Sequence, residues 1–201
     1  MKSIIFGTTN PAKLNHIKVA LEPLGIKVEG LEGIENLPEV VEDGQTPQEN
    51  SRKKAVAYCH AVGQPVLAMD NALFIDGLAN DEQPGMNTRR IPGMKTRPTD
   101  EEMVEYYSGL FAKMGGEATG HWEWALCLAF PDGRKKETTA VTPYRRFSSQ
   151  PSPKRMPGYP MESLQIDPET NKFIVEMSEE EKDKFWQDST GKALRELFKD
   201  F

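Results

Sequence analysis

The chain has 201 residues, with 31 acidic side chains against 25 basic ones and a formal net charge of −6. That balance excludes bulk nucleic-acid binding, which needs a basic footprint, but leaves room for a small phosphorylated ligand, because a few lysines dominate one pocket. With 37% hydrophobic residues and 9 Phe, 5 Tyr and 3 Trp, the composition argues against disorder and predicts one domain, residues 1–201, with a real core.

In chain order, Ile4-Ile5-Phe6 reads as a buried strand that stops at Gly7. Thr8-Thr9-Asn10 then leads into a helix opened by Pro11, with Lys13 in its first turn. Such a turn aims backbone N–H groups and the positive end of the helix dipole at whatever lies beyond the strand. It is either a phosphate cradle or an ordinary turn with a solvated lysine. The helix should bury Leu14, Ile17, Leu21 and Leu24, end at Gly25, and hand over to a short strand, Ile26-Lys27-Val28. Strand–helix–strand is the opening of an α/β sheet.

Residues 32–45 carry Glu32, Glu35, Glu39, Glu42 and Asp43 between Pro38 and Gly44. The stretch is a solvated loop or a source of Mg²⁺ ligands. Thr46-Pro47-Gln48-Glu49 predicts a capping box and a helix to Val62, with Gly63 as its stop. Ser51, Ala55, Tyr58 and Val62 should line its buried face, while Asn50 and Lys54, four apart, share another. Lys54 is then either a surface lysine or a second cation over the same pocket as Lys13. Pro65 to Met69 predicts a buried strand ending at Asp70-Asn71. Ligands of open parallel sheets bind beyond the carboxyl ends of strands, so Asp70 and the Thr8–Lys13 turn are expected on one edge. A carboxylate beside a phosphate cradle makes electrostatic sense with a metal ion between them; a plain Asp-Asn turn is the alternative.

Residues 79–98 read as loop and contain a short duplication, Pro84-Gly85-Met86-Asn87-Thr88-Arg89 and Pro92-Gly93-Met94-Lys95-Thr96-Arg97. Thr99 to Glu102 forms a second capping box, opening a helix to about Met114. Trp122, Trp124, Leu126, Leu128 and Phe130 alternate as in a half-buried strand, and Pro131-Asp132-Gly133 turns it into a hairpin with Lys135–Val141. Five prolines in residues 143–161, with Arg145, Arg146, Lys154 and Arg155, predict a loop, either a basic lid or a mobile excursion. Ser178 to Glu181 is a third capping box, and Thr190–Phe198 a terminal helix. Cys59 and Cys127, with no metal-type spacing, read as buried free thiols in a reducing compartment. No run has the apolar length of a membrane span, and Ile4-Ile5-Phe6 is too short for a signal peptide, so a cytoplasmic location is expected.

Taken together, these stretches resemble the inosine triphosphate pyrophosphatase family, enzymes that cleave non-standard purine nucleoside triphosphates to monophosphate and pyrophosphate. The likeness is collinear over nearly the whole chain. Thr8-Thr9-Asn10-Pro11-Ala12-Lys13 resembles T/S-G-N-x-x-K, and Glu42 to Asn50 resembles E-T-G-x-T-F-x-E-N, with Lys54 on the family lysine. Ala68-Met69-Asp70-Asn71-Ala72-Leu73 resembles A-D-D-S-G-L, Pro84-Gly85 through Thr88 and Arg90 resembles P-G-x-x-S-A-R, and Glu176 to Lys182 resembles E-M-S-x-x-E-K.

The resemblance implies an elongated α/β fold, with a mixed central sheet flanked by helices and two lobes with a cleft between them. It also implies Mg²⁺, a homodimer, and a nucleoside triphosphate as partner. Thr8, Thr9, Asn10 and Lys13 would hold the triphosphate, with Lys54 and Lys182 adding positive charge. Glu42 and Asp70 would hold the metal, with Glu39 as the other candidate in that loop. Lys13, Lys54 and Asp70 make up the catalytic set. Three departures stand out. The family's paired acid is Met69-Asp70, so one carboxylate is missing. The base-binding F-G-W/Y-D-P segment appears as Pro157-Gly158-Tyr159-Pro160-Met161, which keeps Tyr159 and loses the aspartate. The purine-reading S-H-R triplet has no counterpart in Trp186-Gln187-Asp188-Ser189-Thr190, where an insertion is apparent. The resemblance therefore implies a Mg²⁺-dependent hydrolase that converts a (d)NTP and water to (d)NMP and pyrophosphate with altered base preference. The alternative is a nucleotide- or partner-binding protein that has lost catalysis.

Overall fold

The structure, a computed structural model, describes residues 2–199 and 201. Its strands form one mixed sheet in the order Ile26–Glu29, Lys2–Phe6, Val66–Ile75, Glu117–Ala129, Arg145–Ser148 and Gln165–Ile166, with Lys135–Val141 beside Glu117–Ala129. The chain divides into two compact units, one built from the residues up to Asn71, Glu123–Val141 and those from Phe185 onward, the other from Ala72–Trp122 and Thr142–Lys184.

The first unit starts with β1 (Lys2–Phe6), α1 (Pro11–Leu21), β2 (Ile26–Glu29) and α2 (Pro47–Val62). β1 pairs in parallel with β2, from Lys2↔Ile26 to Ile5↔Glu29, and with the start of β3 (Val66–Ile75), at Ile5↔Val66 and Phe6↔Leu67. α2 lays Ala55 and Cys59 on Ile5, Val66, Ala68, Cys127 and Ala129, and Tyr58 and Val62 close the edge of that core. Burial raises both thiols, Cys127 up to about 12, so neither is a reactive thiolate. α1 buries His16, Ile17, Ala20 and Leu21. Leu24, expected on its apolar face, lies instead in the 3-10 turn Glu22–Leu24 and is exposed, because Pro23 cannot continue the α ladder. β3 does not end at Asp70-Asn71 but runs through them to Ile75, since Ala72-Leu73-Phe74-Ile75 restores an apolar strand after two polar residues. Asp70 and Asn71 therefore lie mid-strand, just beyond the point where β1 stops pairing.

β5 (Lys135–Val141) returns along the end of β4 (Glu117–Ala129) in the expected hairpin, from Ala129↔Lys135 to Glu123↔Val141. The half-buried alternation of β4 holds only to Trp124; every residue from there to Ala129 is buried. The terminal helix is not continuous. After α4 (Glu179–Trp186), a π-helical turn over Gln187–Gly191 precedes α5 (Lys192–Leu197). This π turn overlaps the stretch Trp186–Thr190, where the resemblance implies an insertion. Ser189 Oγ donates to the Phe185 carbonyl (2.8 Å) and Thr190 Oγ1 to the Trp186 carbonyl (3.2 Å), which satisfies groups the turn would strand. The Thr190 proton is thereby used, so His16 Nε2–H donates to Thr190 Oγ1 at 3.0 Å. His16 also stacks on Trp186, with ring centroids 4.2 Å apart. Burial, with the charge of Lys13 adding, pushes this imidazole down to about 3 and holds it neutral.

In the second unit, α3 (Asp100–Lys113) begins at a reciprocal Thr99–Glu102 capping box and buries Met103, Val104, Tyr107 and Phe111. Residues 143–161 are not all loop. β6 (Arg145–Ser148) occupies the proline-free window between Pro143 and Pro151. It pairs antiparallel with β4 (Glu117↔Ser148 to Gly120↔Arg145) and with β7 (Gln165–Ile166). Phe147 is fully buried against Phe111, and Arg145 is buried rather than part of a lid. The third capping box forms as expected, Ser178 N–H to Glu181 (2.8 Å) and Glu181 N–H to Ser178 Oγ (3.2 Å). No helix among the described residues is long and apolar enough to cross a membrane.

A buried polar chain crosses this unit. Trp122 Nε1 donates to Gln165 Oε1 (2.9 Å), and Gln165 Nε2 to Glu162 Oε2 (2.5 Å). Burial pushes the Glu162 carboxyl up to about 8 against the pull of Arg145 and Gln165. Its folded value lies above the ordinary 4.5, so its contribution to stability is complete below about 4.5 and is lost as pH rises through about 8. His16 has the opposite sense: its neutral form stabilises above 6.5, and that contribution is lost as pH falls towards 3. Between 4.5 and 6.5 the two slopes offset each other. Glu162→Gln is expected to flatten the decline between pH 6.5 and 8, read as urea midpoint against pH; an unchanged decline would assign it to other groups.

Candidate functional site

The first unit gathers most of the expected site residues around the end of β1. Gly7 N–H still bonds the Leu67 carbonyl at 2.8 Å, holding the turn against β3, and a side chain there would bring a Cβ within 2.8 Å of the Tyr58 ring. Thr8 Oγ1 then accepts the Asn10 N–H (3.2 Å), and exposed Thr9 forms the crest of the turn. Asn10 is the N-cap of α1. Its Oδ1 accepts the Ala12 N–H at 2.9 Å and the Lys13 N–H at 3.4 Å. The sequence reading aims free backbone N–H groups at the ligand; two of them are held by Asn10 instead, because an asparagine cap satisfies those donors better than water does. What remains for an anion is the helix dipole and the Lys13 ammonium, which reaches Asn71 Oδ1 on β3 at 3.3 Å.

Beside it lies a carboxylate corner. Lys54 Nζ donates to Glu42 Oε2 at 2.7 Å and to Asp70 Oδ1 at 3.5 Å, with the lysine and Asp70 side chains only 12% and 14% exposed. Asn50 Nδ2 donates to Asp70 Oδ2 at 3.1 Å, while Asn50 Oδ1 accepts the Gly44 N–H at 2.8 Å. One asparagine thus ties the acidic loop to β3. The approach is close: a Cβ on Gly44 would stand 2.6 Å from Asn50 Oδ1. Thr46 caps α2 through the Glu49 N–H (3.2 Å), but Glu49 reaches back to the Gln45 N–H (2.6 Å) instead of completing the box at Thr46. Lys53 pairs with Asp43 and holds its carboxyl below the usual range. Glu42, and not exposed Glu39, shares the ammonium with Asp70. Asn50 and Asn71 are the orienting residues that sequence reasoning did not single out as site residues; the Asn50–Lys54 spacing was the legible signal for the first of them.

Two carboxylates converging on one cation suit a hard dication that takes its remaining oxygens from substrate and water, as Mg²⁺ does. No set of three or more His, Cys, Asp or Glu that could hold a metal occurs among the described residues. Met69 is 3% exposed, and by strand alternation its side chain leaves β3 on the face opposite Asp70. The carboxylate missing at that position is therefore missing from the far side of the strand and not from this corner.

The two other expected residues lie in the second unit. Lys182, on α4, pairs with Glu179 at 2.9 Å. Tyr159 precedes the 3-10 turn Pro160–Ser163, and burial raises its phenol far above the usual value.

A model of the Ham1 family matches residues 4–200. A dITP/XTP pyrophosphatase of Exiguobacterium sp. is 33% identical over 196 residues, 96% of this chain and 94% of the relative. One of Bacillus subtilis is 29% identical over 99% of this chain and 96% of the relative. Among solved structures, the Staphylococcus aureus Ham1 protein matches with a TM-score of 0.71 at 22% identity, over 98% of this chain and 100% of that one. A HAM1 protein from Coxiella burnetii matches with a TM-score of 0.74 at 22% identity, over 98% of each chain. These structures share the mixed-sheet α/β fold described above.

Proposed function

The chain belongs to the Ham1 family, and from that premise we propose that it is a nucleoside triphosphate pyrophosphohydrolase, converting a (d)NTP and water to (d)NMP and pyrophosphate. The observation that supports this most is the single ammonium of Lys54 shared by Glu42 and Asp70, next to a helix N-terminus carrying Lys13. Lys13 binds the triphosphate at the turn that Thr8, Thr9 and Asn10 shape, and Lys54 adds charge along it. Glu42 and Asp70 would hold Mg²⁺, which would supply charge neutralisation and polarisation at the phosphates. Asn50 keeps Asp70 aimed at the corner, and Asp70 orients the attacking water. The water oxygen bonds to the α-phosphorus and its proton is released to solvent, while the bond to the bridging oxygen breaks and pyrophosphate leaves with that electron pair. Lys13 and Lys54 stabilise the charge that gathers on that leaving group.

Base preference differs from the inosine and xanthosine type, because the aspartate of the base segment is Pro160 and the S-H-R triplet is replaced. A site that loses such donors and acceptors loses discrimination by orders of magnitude. The enzyme acts in the cytoplasm as a homodimer. The reading as an inert binding protein rests on Met69 and on the missing S-H-R triplet; by strand alternation the Met69 side chain lies away from the corner. The test is a panel of standard and deaminated ribo- and deoxyribonucleoside triphosphates with Mg²⁺. One monophosphate is expected per pyrophosphate, with a preference order unlike that of the dITP/XTP enzymes. No pyrophosphate from any member at high enzyme concentration overturns the reading.

A further inference from the structure

Asn50, Lys54 and Tyr58 stand four apart along α2 and so share one face of the helix. The first two build the corner described above: Asn50 binds Asp70 and the Gly44 N–H, and Lys54 binds Glu42 and Asp70. Tyr58 extends the row by one turn, about 6 Å along the helix axis. Its ring lies on Gly7: a Cβ built on that glycine would stand 2.8 Å from Tyr58 Cδ2 and 3.4 Å from Cε2. The φ of Gly7 lies outside the left-handed region, so the backbone does not call for glycine there; the ring does. The inner side of the half-buried tyrosine packs on the core of Ile5, Ala55, Cys59 and Val66. Burial raises its phenol, with the charge of Glu42 adding and that of Lys54 opposing, so the outer end of the ring is within range of the corner.

The ring therefore stands between two cations. Lys13 follows the turn that starts at Gly7, and its ammonium reaches Asn71 on β3 at 3.3 Å. Lys54 reaches the preceding residue of the same strand, Asp70, at 3.5 Å. On the β3 side the turn is tied by the Gly7 N–H to the Leu67 carbonyl at 2.8 Å; on the α2 side it rests on the Tyr58 ring. Closing the core would need neither an aromatic nor a glycine opposite it, since Val62, one turn on, closes the same core with an aliphatic chain. We propose that Tyr58 is a positioning residue: its ring is the spacer that sets the Gly7–Lys13 turn at a fixed distance from Lys54, so that both ammonium groups engage one polyphosphate at once. This rests on the reading above, in which Lys13 and Lys54 bind the same triphosphate. Two cations act on one ligand as a pair only when their spacing matches it; once the spacing is loose, the second contact loses its advantage. The role belongs to the ring and not to the hydroxyl, so phenylalanine serves in its place and leucine, without the reach of the ring, does not.

The test is titration calorimetry on the full chain in Mg²⁺ buffer, with inorganic pyrophosphate and orthophosphate as the two probes and melting temperature measured in parallel. Tyr58→Leu is expected to weaken pyrophosphate binding by about tenfold or more. Orthophosphate, with a single phosphorus centre to place, should stay within about twofold. Tyr58→Phe should match the parent on both probes. Gly7→Ala, whose Cβ pushes the turn off the ring, should weaken pyrophosphate in the same selective way, and it serves if Tyr58→Leu does not fold. Added to Tyr58→Leu, it should cost less than it does alone, because the ring it meets is gone. A lowered melting temperature with the parent's preference for pyrophosphate intact, or equal loss on both probes, overturns the proposal and leaves Tyr58 a packing residue. Equal loss in the Phe and Leu variants overturns it by moving the role to the hydroxyl. A parent chain that binds pyrophosphate no more tightly than orthophosphate overturns the reading of Lys13 and Lys54 as one site, and the proposal with it.

Discussion

Replacing Asp70 by asparagine is expected to lower pyrophosphate release by about a thousandfold or more, the scale on which single charge-stabilising groups act. Thermal stability should barely change. Asparagine keeps an oxygen to accept from Asn50 Nδ2, now at 3.1 Å from Asp70, and gives up only a long 3.5 Å pairing with Lys54. Lys54 keeps its shorter pairing with Glu42, at 2.7 Å. In a chain of this size, about 1 kcal/mol moves the melting temperature by about 2–4 °C. Differential scanning calorimetry in metal-free buffer alongside the pyrophosphate assay checks both halves. A fall of more than about 10 °C would make Asp70 a structural residue, and full activity in the variant would remove it from the site.

Lys54→Met carries the second large effect. The methionine keeps most of the largely buried stem and removes the charge that Glu42 and Asp70 share. Loss of kcat/KM by about a hundredfold or more is expected, through lost stabilisation of the leaving pyrophosphate. The variant should also answer Mg²⁺ differently. In the parent, the ammonium already stands between the two carboxylates, at 2.7 and 3.5 Å, and competes with the dication. Without it the carboxylates repel in metal-free buffer and gain more when the ion binds, so the melting temperature should climb more steeply with Mg²⁺ than in the parent. Adding Asp70→Asn to Lys54→Met should cancel that steeper climb. An identical Mg²⁺ response in parent and Lys54→Met would show that the corner does not take the ion.

Much of the architecture is local and so was legible along the chain. Helix α2 begins and ends where the Thr46-Pro47 start and Gly63 stop place it, and the Thr99 and Ser178 boxes form as read. The hairpin around Pro131-Asp132-Gly133 has the expected second strand, Lys135–Val141. These signals lie within four or five residues of what they decide. The misreadings share the opposite cause. Asp70-Asn71 looked like a strand end because two polar residues interrupt an apolar run, but the strand continues to Ile75. The 143–161 stretch looked like loop on its average proline content, yet four residues between prolines suffice for a strand once β4 and β7 offer partners.

The site divides in the same way. Sequence by itself determined the candidates Thr8, Thr9, Asn10, Lys13, Glu42, Lys54 and Asp70, because the turn, the acidic loop and the strand carry those residue types in one collinear order. Tertiary structure alone decided that Asn10 spends its side chain capping α1, and that Lys54 serves both Glu42 and Asp70. It alone decided that Asn50 binds Asp70 and the Gly44 loop together, and that the Tyr58 ring lies on Gly7. Residue type and local propensity are written along the chain. Which polar groups satisfy each other depends on where distant segments meet, and those meetings, 20 residues apart for Asn50 and Asp70 and 58 for Lys13 and Asn71, are set by packing of the whole sheet and its helices.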